Sequence, residues 1–304
     1  MISQIENNNT NRIVFTQNHI KKIRLSKNSK GYFTNTIDND ILDQDSEFRM
    51  ASISKLFMDI TLLLMQEDNK LKVNDNVSKY IKSENPDNDF SSITLLDIMN
   101  HKSGIKRVVN DRKDREGKHG LPVFKYKNAT EVMNLFINEP LFEHKHGEYS
   151  YSNIGFTILA AIIEKITGAN NYSEVIMQYL LKPLKMLHTD IGETNIKLYN
   201  KNGLLLSQDA FNEIYYAAGG GGFYSSIYDM VTFAKGMPGL FIDFNLIKLL
   251  DKCVVTDLSV KKNNDGFVFS HYGAIQGGIS MFSTNYTPEF KFINCKMEFE
   301  TIKY

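Results

Sequence analysis

Two side chains that could form a nucleophile and its proton acceptor lie three residues apart, at Ser52 and Lys55. Residues at this spacing share one face of a helix, so the hydroxyl and the amine are expected to lie side by side. A serine becomes a nucleophile when a neighbouring base takes its proton. The same Ser-x-x-Lys spacing recurs at Ser103 and at Ser259, so the spacing alone is equally typical of a surface or helix-capping serine.

The residues after Lys55 predict a buried helix and so distinguish Ser52 from the other two serines. Five apolar side chains recur at helical spacing and form one stripe: Leu56, Phe57, Ile60, Leu63 and Leu64. Three methionine and leucine side chains cover other faces, and a helix that is apolar nearly all round belongs inside a domain. The pattern predicts a catalytic serine at the start of a central, rigid helix.

Composition and charge are those of an ordinary globular protein. The chain has 304 residues, enough to bury a large core as one domain or as two lobes. Lys+Arg and Asp+Glu are both 35, so the net charge is zero and gives a nucleic-acid partner no electrostatic support. Two cysteines, Cys253 and Cys295, are too few for a disulfide framework, and neither has metal-type spacing. No His/Asp cluster has ligand spacing either, so we expect no metal site.

The start of the chain carries no apolar stretch of signal-peptide length. The longest apolar run, residues 56–65, is short and is interrupted by Asp59, so no membrane span is predicted. We expect the chain as given to be cytoplasmic, or extracytoplasmic if an export signal has been removed.

The order of predicted elements is strands, then helices, then strands. Short β-favourable runs open the chain at residues 13–15, 20–25 and 32–34. Helical patterns follow at residues 56–65, 95–100, 130–137, 154–167 and 173–181. Period-two patterns then predict antiparallel strands at residues 266–271, 278–284 and 289–299. This order indicates an α/β lobe built from both chain ends, about 13–73 and 217–304, with an inserted helical lobe of about 74–216.

A glycine-rich stretch, residues 217–226, precedes another predicted helix and reads Ala-Ala-Gly-Gly-Gly-Gly-Phe-Tyr-Ser-Ser. It lacks the lysine and the spacing of a P-loop, and it does not fit Gly-x-Gly-x-x-Gly. We interpret it as a tight turn at which the backbone comes close to another group.

Three short motifs occur in order along the chain: Ser52-x-x-Lys55, Tyr151-x-Asn153 and His271-x-Gly273. A glycine on a predicted strand lets a ligand backbone approach the strand edge closely. Together the motifs resemble the signature elements of the penicillin-recognising serine enzymes, which are the β-lactamases, DD-peptidases and related esterases and aminopeptidases.

The resemblance extends to residues 30–284, roughly, which is most of the chain. Four longer segments resemble the class C β-lactamase and esterase branch, namely residues 48–57, 95–104, 149–168 and 220–233. The second of these looks like that branch's Leu-Leu-x-His-x-Ser-Gly segment. The resemblance implies the serine β-lactamase/DD-peptidase-like fold, an α/β (α+β) fold with an antiparallel sheet from both chain ends and an inserted helical lobe.

The resemblance also implies catalytic roles. Ser52 would be the nucleophile that forms an acyl-enzyme, and Lys55 would take or relay its proton. Tyr151 would act as general base and later protonate the leaving group. Taken singly, Tyr151 is equally consistent with a core tyrosine.

Four further residues would bind the substrate. Asn153 would hydrogen-bond Lys55 and a substrate amide, and the Ala274 N–H would form the oxyanion hole with the N–H of the nucleophile. His271 and Gly273 would belong to the same wall of the site. Taken singly, Asn153 is equally consistent with a helix cap and His271 with an ordinary strand histidine.

Two departures from the family pattern shape the expected function. His271 stands where β-lactamases usually carry lysine, and a neutral or half-charged imidazole is a poorer anchor for a β-lactam carboxylate. Peptidase or esterase activity is therefore favoured over efficient β-lactamase activity. The chain also ends soon after Phe299, which leaves no room for the usual C-terminal helix, so the sheet would be covered differently or by a partner chain, or the protein would be degenerate.

The sequence predicts a cofactor-free serine hydrolase that forms an acyl-enzyme. Its substrate would be an amide or ester: a D-amino-acid peptide, a β-lactam or a small ester. The alternative is a non-catalytic penicillin-binding-like binding or sensor module, and a metal hydrolase ranks third. The expected partner is a small-molecule or peptide substrate, and a homo-oligomer is compatible with the sequence.

Overall fold

The computed structural model describes residues 12–16, 19–23, 45–107, 128–192, 194, 218–249, 258–263, 266–275 and 278–301. For 12–16, 19–23 and 258–263, the backbone alone is described. The predicted strand at 32–34 lies outside these residues. The lobe boundaries proposed from the sequence stay a prediction.

A six-stranded antiparallel sheet joins the two ends of the chain, in the order β2-β1-β9-β8-β7-β6. Its strands are β1 Arg12–Thr16, β2 His19–Ile23, β6 Leu258–Asn263, β7 Gly266–Ile275, β8 Gly278–Tyr286 and β9 Phe292–Thr301. The register places Ile13 opposite Phe299, so the first strand pairs with the last. The predicted sheet from both chain ends is confirmed.

The late strands differ from the prediction at several points. Strands β7 and β8 run to Ile275 and Tyr286, past the predicted ends at residues 271 and 284. Strand β6 was not predicted, because Lys261 and Lys262 make its sequence resemble a solvated loop. Lysines of this kind are common on edge strands, where they oppose pairing with another chain. Strand β9 begins at Phe292 rather than near Glu289, since Phe290 has φ +61° and closes the preceding turn.

A second, three-stranded sheet includes the residues just before Ser52 and has the order β3-β5-β4. Its strands are β3 Phe48–Arg49, β4 Asp190–Ile191 and β5 Phe223–Ser225. Strand β3 pairs with β5, so the chain before Ser52 lies against the chain that leaves the glycine-rich stretch.

Seven α-helices are described: α1 Ser54–Glu67, α2 Leu95–Met99, α3 Ala129–Asn134, α4 Asn153–Thr167, α5 Tyr172–Ile176, α6 Lys182–Leu184 and α7 Ile227–Gly236. A π-helical segment, Met177–Leu181, joins α5 to α6. Short 3-10 turns are Ala51–Ile53, Val77–Lys79, Met237–Gly239 and Phe244–Leu249. Helix α4 confirms the helical pattern predicted at residues 154–167; Ser152 caps its start, in place of the Asn153 cap considered from the sequence, and Gly168, whose φ is +71°, caps its end.

Helix α1 runs through the hydrophobic core. Every residue from Ser54 to Met65 is buried, which confirms the central helix. Three of its buried residues are polar or charged beyond Ser54, namely Lys55, Asp59 and Thr61. No helix in the described ranges is long and apolar enough to cross a membrane.

Candidate active site

Ser52 lies in the 3-10 turn between β3 and α1, and both sheets hold this turn. The Met50 N–H donates to the Phe223 carbonyl over 2.9 Å, and the Ser280 hydroxyl donates to the Met50 carbonyl over 2.9 Å. Ala51 has φ +47°, a conformation that costs a non-glycine residue of order 1–3 kcal/mol and persists only where its surroundings impose it. The backbone at Ser52 is therefore fixed from both sides.

The Lys55 side chain lies next to Ser52 at the first turn of α1. Only 1% of Lys55 is exposed. Its Nζ donates to the Ser52 Oγ over 3.3 Å and to the Gly220 carbonyl over 2.5 Å. It also lies 4.7 Å from the centre of the Tyr151 ring. A buried ammonium needs such partners, because an unpaired buried charge is very costly.

The glycine-rich stretch supplies that carbonyl. Gly219 has φ +77°, and a Cβ added there would lie 2.5 Å from the Phe156 carbonyl. The stretch is therefore a tight turn in close contact with α4, as the sequence predicts. Its approach brings the Gly220 carbonyl to the buried Lys55.

Tyr151 completes a group of three hydrogen-bonding side chains. Its hydroxyl lies 2.5 Å from the Ser52 Oγ, and either oxygen could be the donor. Tyr151 precedes α4, and the Ser152 side chain caps that helix through the Gly155 N–H. The structure thus brings together the three residues that the sequence predicts to be catalytic, although Ser52 and Tyr151 are 99 positions apart.

His101 holds both neighbours of Tyr151, a role that the sequence analysis missed. Its carbonyl accepts from the Ser150 N–H over 2.7 Å, and its ring Nδ1 accepts from the Ser152 N–H over 3.2 Å. The imidazole centre is 4.5 Å from that of the Tyr151 ring. The signal available in the sequence was the Leu-Leu-x-His-x-Ser-Gly segment, whose histidine we had not assigned to the site.

His101 must be neutral to make these contacts. Burial lowers its pKa well below the usual range, and the nearby charge of Lys55 acts in the same direction. Because Nδ1 accepts a hydrogen bond, the ring proton is assigned to Nε2.

Asn153 does not make the expected bond to Lys55. Its Oδ1 is buried and has no hydrogen-bond partner among the described residues. The ammonium donates instead to Ser52 and Gly220. Within the described ranges Asn153 Oδ1 is therefore an acceptor without a donor, which is uncommon for a buried amide oxygen.

Strand β7 forms the opposite side of the site. Gly273 faces the nucleophile turn, because a Cβ there would overlap the Met50 carbonyl and lie 2.5 Å from the Ser280 Oγ. The close approach at this glycine is therefore made by the protein's own backbone. Ala274 is exposed, and strand β6 pairs with β7 only as far as His271. The oxyanion role of Ala274 and a ligand role for Gly273 stay predictions.

His271 is a buried, neutral group on this strand. Burial lowers its pKa to about 3, and Lys55 contributes in the same direction. Its Nδ1 lies 2.9 Å from the Tyr272 carbonyl, so the proton is assigned to Nδ1. At neutral pH, His271 therefore carries no charge with which to bind an anion.

One acidic group lies below the site. Asp59 follows Lys55 by one helical turn, is fully buried, and has no hydrogen-bond partner for either carboxylate oxygen among the described residues. Burial raises its pKa well above the usual range, while Lys55 lowers it. No group of three or more His, Cys, Asp or Glu side chains in the described ranges could hold a metal ion.

The chain was compared with known protein families. A family model described as Beta-lactamase matches residues 25–270. The chain belongs to the Beta-lactamase family. This confirms the resemblance and the fold expected from the sequence.

Three similar proteins illustrate the family. A teichoic acid D-alanine hydrolase of Staphylococcus aureus is 27% identical over 205 residues, which are 64% of this chain and 47% of that protein. A D-stereospecific amidohydrolase from Streptomyces sp. superposes with a TM-score of 0.67 at 20% identity, covering 85% of this chain and 83% of that one. An octameric penicillin-binding protein homologue from Pyrococcus abyssi gives a TM-score of 0.72 at 20% identity, with 97% and 70% covered. The chain spans between a third and a half of the length of the curated relatives it matches.

Proposed function

We propose that this protein is a serine hydrolase that cleaves an amide or ester of a D-amino acid through an acyl-enzyme on Ser52. One observation carries the proposal. The Ser52 Oγ lies 2.5 Å from the Tyr151 hydroxyl and 3.3 Å from the Lys55 Nζ, so the nucleophile has a group that can take its proton and a second that can help relay it.

In the proposed reaction, the Ser52 Oγ attacks the carbonyl carbon while its proton passes to Tyr151. The Lys55 Nζ lies 4.7 Å from the centre of the Tyr151 ring, so a positive charge at Lys55 stands next to the group that takes the proton. The bond to the leaving group then breaks, and Tyr151 returns the proton to the leaving atom. Water repeats the sequence and releases the acid.

The substrate class is proposed from the relatives and from the charge of the site. A D-alanine hydrolase and a D-stereospecific amidohydrolase are among the similar proteins. The neutral His271 supports a peptidase or esterase over an efficient β-lactamase, since it offers no cation to a β-lactam carboxylate.

The test is covalent labelling of the pure protein by a fluorophosphonate and by a fluorescent penicillin, followed by intact mass. We expect each reagent to give one adduct that is absent in Ser52→Ala. The penicillin adduct should then decay as the acyl-enzyme hydrolyses. A penicillin adduct that never decays would favour the non-catalytic binding module, whereas the fluorophosphonate adduct is expected to be stable in either case. Well-folded protein that neither reagent labels would contradict the hydrolase proposal.

A homo-oligomer is a separate proposal, supported by the octameric homologue among the similar structures. Light scattering of the full chain would test it, and a monomer mass at all concentrations would contradict it.

A further inference from the structure

One charged side chain at the site has no part in the acyl transfer described above. Arg107 is exposed, and its guanidinium lies 5.0 Å from the centre of the Tyr151 ring. A cation at this distance from an aromatic face is attracted to it. Arg107 therefore lies beside the residue that would return the proton to the leaving group.

The backbone of Arg107 is fixed by a hydrogen bond from the start of α4. Its carbonyl accepts from the Asn153 N–H over 3.1 Å, and the Lys106 carbonyl accepts from the Ser152 hydroxyl over 2.7 Å. The Lys106 N–H donates in turn to the Leu141 carbonyl. The same backbone that positions Tyr151 thus positions Arg107.

The charge of Arg107 is not matched by a carboxylate in the described part of the chain. The salt bridges described there join other residues, such as Lys79 to Asp75 and Lys296 to Glu298. An exposed guanidinium that no described carboxylate neutralises is suited to bind a carboxylate or phosphate, which match its planar array of donors.

Arg107 differs from the other basic groups placed at the site. Lys55 is buried and already donates to Ser52 and Gly220. His271 is neutral and buried. Among these described groups, Arg107 is the one that combines a permanent charge with exposure to a ligand. The exposed positive charge at the site therefore lies near the start of α4, next to Tyr151.

We propose that Arg107 binds an anionic group, a carboxylate or a phosphate, carried by the leaving group of the substrate. The inference rests on the proposed function, because the Tyr151 hydroxyl must lie against the leaving atom. In that step the bond from the acyl carbon to the leaving atom breaks, and the Ser52 proton reaches that atom through Tyr151. An anionic group a few bonds beyond it lies within reach of the guanidinium.

Matched substrates test this proposal and separate the two anions. The carboxylate arm compares D-alanyl-D-alanine with its C-terminal amide. The phosphate arm compares the D-alanine ester of glycerol 1-phosphate with that of glycerol. The measured quantity is the ratio of kcat/KM for the anionic over the neutral member, at low and at high salt.

In at least one arm, we expect the wild type to prefer the anionic member by about tenfold at low salt, mainly through KM, since a charge-assisted hydrogen bond is being made. The ratio should fall to near one in Arg107→Gln and be partly kept in Arg107→Lys. Lys145→Gln, which removes an exposed cation outside the site, should leave the ratio unchanged. The arm with the larger ratio identifies the anion.

Two results would overturn the subsite. One is Ser52-dependent hydrolysis without charge preference in either arm. The other is an Arg107→Gln variant that loses activity equally on both members, which would make Arg107 only a partner of the Tyr151 ring.

A second measurement covers the case in which none of these substrates is turned over. Glycerol 1-phosphate, but not glycerol, should slow fluorophosphonate labelling of Ser52 in the wild type and not in Arg107→Gln. Equal labelling rates with both additives would overturn the subsite, whereas a complete lack of labelling would defeat the proposed function itself.

Discussion

The two sides of the site contain different kinds of interaction. On the helix side, at the start of α4, side chains exchange hydrogen bonds with one another, as Tyr151 does with Ser52. On the strand side, β7 presents Gly273 to the Met50 carbonyl, and its contribution is close backbone packing. The helix side therefore offers groups that can move protons, whereas the strand side fixes the position of the nucleophile.

The two buried histidines show the same contrast. His101 accepts hydrogen bonds from the backbone on both sides of Tyr151. His271 bonds only to the neighbouring carbonyl of Tyr272 in the contacts described. Both are neutral, because burial lowers the pKa of each ring. The comparison predicts that changes on the helix side reduce the reaction rate, and that changes on the strand side reduce stability or displace the nucleophile.

The largest effect is expected for Tyr151→Phe. Loss of the hydroxyl removes the group nearest the Ser52 Oγ, and general acid–base catalysis contributes about 100- to 10,000-fold. We expect the rate of fluorophosphonate labelling to fall within that range while the urea midpoint changes little. Tyr149→Phe, two residues earlier, is the matched control. Equal loss in both variants would show that the hydroxyl of Tyr151 has no special role.

The second prediction concerns the strand side. In Gly273→Ala the added methyl overlaps the Met50 carbonyl, and such overpacking typically costs about 1–3 kcal/mol of unfolding free energy. Displacement of Met50 should also slow labelling of Ser52. Gly239→Ala is the control, because nothing lies within 4 Å of a Cβ at that position. Urea unfolding measures the cost, and equal midpoints for the two variants would refute the packing role.

The sequence predicted the parts of this molecule that local patterns determine. Helix α1 and helix α4 both follow from apolar residues that recur at helical spacing. The grouping of Ser52, Lys55 and Tyr151 was predicted by resemblance, since no local pattern links Ser52 to a tyrosine 99 positions away. Family motifs supplied that long-range contact.

The parts that sequence reasoning missed depend on tertiary contact. The pairing of Lys55 with the Gly220 carbonyl needs a glycine turn that packs on α4, and nothing in the local sequence specifies that partner. The expected bond between Lys55 and Asn153 was wrong, because the Asn153 Oδ1 accepts no hydrogen bond from any described residue. The hydrogen bonds of His101 were equally hidden.

The third prediction concerns the hydrogen bond that the Nδ1 atom of His101 accepts from the Ser152 N–H. Asparagine can accept a hydrogen bond at the position of Nδ1 and tolerates the φ of +55°, whereas leucine can do neither. We expect His101→Leu to slow Ser52 labelling by about tenfold or more, because Tyr151 loses the bond that positions its neighbour, worth roughly 1–3 kcal/mol when buried. His101→Asn should recover most of that loss.

The control for this pair is His144→Leu, since His144 is exposed and lies outside the site. Labelling is measured well below the unfolding midpoint of each variant, so that loss of fold is not read as loss of rate. If the leucine and asparagine variants label at the same rate, the acceptor at Nδ1 does not position Tyr151.

The smallest effect is a pH dependence of stability on the strand side. The pKa of His271 is about 3 in the folded chain and near 6.5 in an exposed histidine. Between these values the unfolded chain binds a proton that the folded chain excludes, so stability is complete above about pH 6.5 and is lost as pH falls. Each such histidine contributes at most about 1.4 kcal/mol per pH unit. His101 has the same sign, and Asp59, whose pKa is raised, has the opposite one.

Comparison of variants isolates the contribution of His271 from these other groups. We expect His271→Asn to reduce the slope of unfolding free energy against pH between pH 6.5 and 5, measured by urea unfolding, and to leave it unchanged above pH 7. His144→Asn should keep the wild-type slope, because His144 is exposed. Identical slopes in His271→Asn and in the wild type would mean that His271 is not held neutral by burial. The strand side would then carry a charge at acidic pH, and the contrast between the two sides would fail.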